Sequence, residues 1–183
     1  MLFGILDAVA QKKANCPKQF PSCGCNPVPF VAVNYTARSC LDHMKHGATR
    51  CGYYVINDGV ERYTVFCDIN SEVGAAYTLV ESFAFEYNAK GFHKYSFTQN
   101  FPVNENSPRW DYYRLTKDRM TRLAGRSTHW RAACNFPQVG INYKDYVRIK
   151  MSELNPVKFI GSGTCIPVEL IQKTFGTFTM IVH

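Results

Sequence analysis

The sequence predicts an α+β fold: a mainly antiparallel sheet, a few short helices and disulfide staples. Three observations lead there. Aromatic residues reach 14%, with 13 Phe and 11 Tyr, which suits pleated surfaces better than helical bundles. Runs of strand formers separated by turn signals recur along the chain, while helical patterns are short. The third is an even set of eight cysteines: Cys16, Cys23, Cys25, Cys40, Cys51, Cys67, Cys134 and Cys165. In 183 residues that number reads as a disulfide framework built in an oxidising compartment. The expected location is therefore secreted and extracellular.

Composition narrows the function classes. Hydrophobic residues make up 46% and charged residues 19%, so the chain carries enough apolar material for a packed core and wholesale disorder is excluded. No apolar run is long enough for a membrane-spanning helix. The formal charge is +7. Its densest stretch holds Arg109, Arg114, Lys117, Arg119, Arg122, Arg126 and Arg131. Two readings stand: a patch for an anionic partner such as a sulfated glycan, or a solvated helix with its flanks. A secreted compartment argues against nucleic acid as the partner.

Residues 1–37 read as a Cys/Pro-rich leader, and residues 38–183 as the folded domain. Met1 to Ala10 ends in Ala8-Val9-Ala10, the small-x-small pattern of a signal cleavage site. Asp7 and the lack of a preceding positive charge fit a native strand or helix equally well. Cys16 to Pro29 has too many prolines for a helix or a central strand. Cys23 and Cys25 are too close to bridge each other easily, and no paired Cys-x-x-Cys spacing suggests zinc. Asn34-Tyr35-Thr36 is a glycosylation sequon, so Asn34 is a candidate acceptor.

Ser39-Cys40-Leu41-Asp42 has the form of a capping box, so a short helix should start here, with Gly47 at its C-cap. His43 and His46 are read as surface residues of that helix. Gly52 to Ile56 is a strand, Asn57-Asp58-Gly59 a hairpin turn, and Val60 to Phe66 the return strand. Ala76 to Val80 is a third strand. One cysteine opens the helix and another ends the hairpin; a bridge between them would pin helix to sheet.

These landmarks resemble the opening of a fibrinogen-like domain. The residues that carry the likeness are Ser39-Cys40, Gly52-Tyr53-Tyr54, Val65-Phe66-Cys67-Asp68-Ile69, and Gly74 with Tyr77-Thr78-Leu79-Val80. Ile69 stands where that family has Met, and Ala75-Ala76-Tyr77 where it has Gly-Gly-Trp. Cys51, and His129-Trp130-Arg131 in mid-chain, are similar to the intelectin branch. The resemblance covers about residues 39–82. It implies a Cys40–Cys67 disulfide and a lectin-like, carbohydrate-binding role. The family's calcium and ligand region lies in its C-terminal third. After Asp145 the acids here are Glu153 and Glu169, so no calcium loop is expected, no metal or cofactor is assigned, and the chain reads as truncated at that end.

Glu86 to Pro108 reads as a polar and aromatic connection, followed by the cluster Trp110-Asp111-Tyr112-Tyr113-Arg114. Thr116 caps a helix running to Leu123 or Ala124. Leu115, Met120 and Leu123 should face inward, with Lys117, Asp118, Arg119 and Arg122 outward. Cys134 follows His129-Trp130-Arg131, but nucleophilic catalysis also needs an oriented base. Cys134 and Cys165 instead flank a strand pair and are candidate disulfide partners. Tyr146 to Met151 alternates as a half-buried strand, with Val157 to Ile160 as its expected partner. Gly161 to Cys165 reads as a turn, and Phe175 to Val182 as a last strand. No catalytic residue is assigned. The expected function is that of a secreted, non-enzymatic, lectin-like recognition protein that binds carbohydrate. The alternative is a disulfide-stabilised structural or matrix protein that engages protein partners, with a disulfide-linked oligomer as one form.

Overall fold

The computed structural model describes residues 35–69, 71–84, 92, 95–133, 146–160 and 170–172. Helix α1 spans Cys40–Lys45. Its start is chemical: Ser39 Oγ accepts from the Asp42 amide, and the Asp42 carboxylate accepts from the Arg38 amide at 2.7 Å. Gly47, at φ 93°, ends it in a conformation only glycine adopts without strain. The first sheet follows at once. Strands β1 (Gly52–Asn57) and β2 (Arg62–Ile69) pair from Gly52↔Cys67 to Asn57↔Arg62. Asp58 Oδ1 ties the turn by accepting from the amides of Val60 and Glu61. Strand β3 (Ala76–Thr78) then pairs with β2 to give the order β1-β2-β3.

Two further antiparallel sheets complete the described architecture. Strand β4 (Glu81–Phe83) pairs with β5 (Tyr112–Arg114). Helix α2 (Lys117–Ala124) follows, capped by Thr116, whose hydroxyl accepts from the Arg119 amide. Strands β6 (His129–Ala133), β7 (Tyr146–Lys150) and β8 (Leu170–Gln172) form the third sheet in that order. The core packs Ile56, Val65 and Ile69 of the first sheet against Tyr113, Leu115, Met120 and Leu123. The expected mix of short helices and antiparallel strands is therefore present. So is the Cys40–Cys67 disulfide, fully buried between α1 and β2, with Cα atoms 5.4 Å apart.

Three expectations need correction. His43 is buried, not at the surface. Tyr35 and His46 stack with ring centroids 3.8 Å apart, and the Tyr35 hydroxyl lies 2.9 Å from His43 Nδ1. His43 Nε2 lies 2.9 Å from the Val55 carbonyl, so it donates there and fixes the neutral tautomer. Burial holds His43 below its ordinary pKa, in keeping with that tautomer. Val157 to Ile160 is not a strand; its residues turn, and β7 is paired by β6 and β8 instead. Arg119 is buried, not outward, because Glu61 and the Tyr63 ring of the hairpin draw its guanidinium in. Asn34, Cys134 and Cys165, the leader cysteines, Met1 to Ala10, Gly161 to Cys165 and Phe175 to Val182 lie outside the described residues. Cys51 is also disulfide-bonded, and its sulfur accepts from the Ile69 amide at 3.4 Å.

Candidate ligand-binding cleft

The basic stretch between Arg109 and Arg131 is neither an open anion patch nor a solvated helix face. All but one of its guanidiniums are matched to carboxylates. Arg109 grips Asp111 with two bonds of 2.7 and 3.0 Å. Arg119 grips Glu61 in the same way, at 3.1 and 2.7 Å, and lies over the Tyr63 ring. Arg122 bonds Asp58 at 2.6 Å and Glu61 at 2.7 Å. The physical reason is the hairpin turn, which delivers two acids beside a helix whose arginines are three residues apart and share a face. Arg126 remains exposed, with one bond of 3.3 Å to the Asp58 carbonyl.

Arg114 is the most buried of the set, at 1% exposure. It donates to Glu81 at 2.9 Å and to the carbonyls of Tyr95, Ser96 and Gln99 at 2.7 to 3.2 Å. Burial pushes Glu81 up to about 8, against the pull of the Arg114 guanidinium.

A second polar cluster joins the first sheet to the third. Arg131 of β6 lies over the Tyr77 ring at 3.9 Å and pairs with Asp68 of β2. Glu72, in the loop between β2 and β3, accepts from Arg131 at 3.3 Å, Arg148 at 2.6 Å, Tyr77 at 3.0 Å, and the Tyr146 hydroxyl. Burial raises its pKa, but those donors outweigh it and hold the carboxyl below its ordinary value. Burial also works against Asp58, which Arg122 and the turn amides hold low. Arg119 lowers Glu61.

These shifts have opposite signs, and each limits stability on its own side. A lowered folded pKa contributes stability above the unfolded value that is lost as pH falls through the folded one; a raised folded pKa contributes stability at low pH that is lost as pH rises through it. The thermal midpoint should therefore fall below about pH 4 through Asp58, Glu61 and Glu72. It should also decline from about pH 5 toward pH 8 through Glu81. A melting series across that range checks both limbs. Glu81→Gln should abolish the upper limb and leave the acid limb in place.

Beside the second cluster lies a cleft of about 540 Å³, within the usual range for ligand pockets, about 300–1,000 Å³. Residues 74–80 form one wall, and the inner face of α2 with residues 126–131 forms the other. Its half-buried aromatic residues are Tyr77, Trp110 and Trp130, beside the buried Phe66 and Phe97. Trp130 Nε1 donates to the Leu154 carbonyl at 2.9 Å, so its ring is held in place. Polar groups at one end are Arg131, Arg148 and Asp68. Asp68 and Arg131 stand out separately in the sequence, 63 residues apart, and only the fold brings them together. Glu72 and Arg148 carried no local signal, because the partners of Glu72 in β6 and β7 are 59 to 76 residues away.

Among the described residues no group of acids, histidines and cysteines has the makings of a metal site, and no helix is long and apolar enough to cross a membrane. No family model, curated protein or solved structure matches the chain.

Proposed function

We propose that this chain is a secreted, non-enzymatic recognition protein of fibrinogen-like type, with its ligand held in the cleft between β3 and the start of β6. The observation that carries the reading is the cleft itself. It offers half-buried aromatic faces, Tyr77, Trp110 and Trp130, beside charged groups that already have partners. Such groups suit binding by stacking and hydrogen bonding. The Cys40–Cys67 bridge supports the family part, because it lies where the resemblance implies one.

The resemblance implies carbohydrate as the ligand. The test is a glycan array on oxidised protein, with calcium and with chelator, run beside a peptide array. Binding on either array that falls about tenfold or more in Trp110→Ala, with an unchanged melting temperature, supports the site. Binding untouched by Trp110→Ala and Trp130→Ala moves the site elsewhere. Absence of binding on both arrays sinks the recognition reading. A protein partner is the second reading, favoured by β3, whose outer edge meets no backbone group among the described residues.

A further inference from the structure

Strands β3 and β4 run almost end to end, and the partner changes sides between them. β3 pairs with β2, whereas β4 pairs with β5. The Leu79 amide donates to the Phe66 carbonyl at 3.0 Å, which fixes the phase of the β2–β3 ladder. Leu79 and Tyr77 turn their backbone groups to β2. By alternation, those of Ala76 and Thr78 point to the opposite side. There, among the described residues, no backbone group meets them.

The cause lies one step further along. The Val80 carbonyl faces the same outer side and is taken by the Leu115 amide at 3.0 Å. At the next residue Thr116 caps α2, and the chain leaves the sheet. Among the described residues, the ladder positions alongside Thr78 and Ala76 are left open where β5 gives way to helix. Both residues are half-buried, and residues 74–80 all line the cleft. Half-buried amides and carbonyls call for a partner.

We propose that the cleft takes an extended peptide from a partner protein, which adds to β3 as a strand and continues the line of β5. This rests on the recognition reading above. The open groups at Ala76 and Thr78 repeat every second residue, a spacing that an extended backbone matches and sugar hydroxyls do not. Alternate side chains of the added strand meet Met120, Leu123 and Val157, which line the cleft and belong to the core. That position selects an apolar residue. Arg126, exposed at the rim, selects a carboxylate at one end of the segment. The open edge from Ala76 to Thr78 measures roughly 7 Å at about 3.3 Å per residue, so about three residues make the ladder contact.

The test uses the whole oxidised protein and an array of random eight-residue peptides. Binders should combine an apolar residue with an acidic one. The strongest binder is then resynthesised with one backbone amide N-methylated at a time. Methylation at alternate positions should weaken binding about tenfold, and at the intervening positions little, because only alternate amides face β3. This arm leaves the protein unaltered. Thr78→Pro, which removes an outward amide at a sheet edge where proline is tolerated, should weaken the same peptide about as much. Equal sensitivity at every amide, or insensitivity at all of them, overturns strand addition. So does an array that yields no peptide binder. Glycan binding lost in Trp110→Ala, with no peptide binder, overturns this inference and leaves the recognition reading standing. Failure of both arrays removes both.

Discussion

Arg114→Met should cost about 3–5 kcal/mol of unfolding free energy, measured by urea denaturation at pH 7. The side chain is fully buried and serves four acceptors: Glu81 and the carbonyls of Tyr95, Ser96 and Gln99. Methionine fills most of the volume and meets none of them. Leaving a buried acceptor without a donor costs about 1–3 kcal/mol each, and Glu81 is left without its guanidinium. Arg114→Met with Glu81→Leu should recover only part of the loss, because the three carbonyls stay orphaned. Full recovery in the double variant would mean that the loop carbonyls find water, and that Arg114 serves Glu81 alone.

Removing the Cys40–Cys67 bridge should cost a similar amount. In the chain-entropy model a bridge across 27 residues contributes about 3–4 kcal/mol by restricting the unfolded chain. The double variant Cys40→Ala, Cys67→Ala also loses two fully buried sulfurs from the main core. The expected midpoint shift, by differential scanning calorimetry, is downward by about 10 °C or more. A shift of a degree or two would mean that α1 is held by other contacts. Candidates are the Tyr35–His43–Val55 bonds and the weak bond from the Cys40 amide to Thr78 Oγ1 at 3.5 Å.

Local chemistry was legible and long-range chemistry was not. Ser39, Thr116 and Gly47 announce helix ends because a cap acts within a few residues of itself. The Asn57-Asp58-Gly59 turn and the alternation of Tyr146 to Lys150 are equally local. His43 misled because helical spacing alone does not tell which face β1 will cover; only the packed pair shows Val55 waiting for its Nε2. The arginines misled for the same reason. A run of like charges looks like a patch until the hairpin brings Asp58 and Glu61 against α2, across 58 to 64 residues. The cleft was least legible of all, since an open sheet edge is a property of which strand ends where. No residue type marks it.

The Glu72 junction has a kinetic consequence. The α1–hairpin unit is closed by contacts no more than 38 residues apart in sequence, the disulfide at 27 among them. Glu72 waits for Arg131, Tyr146 and Arg148, which are 59, 74 and 76 residues away. Loop closure favours the nearer contacts. The first sheet is therefore expected to form early and to attach to the third sheet late. On unfolding, the same junction is expected to part first. Hydrogen exchange should then show local opening at the wall of the cleft, by separation of the two sheets, ahead of exchange within β1 and β2.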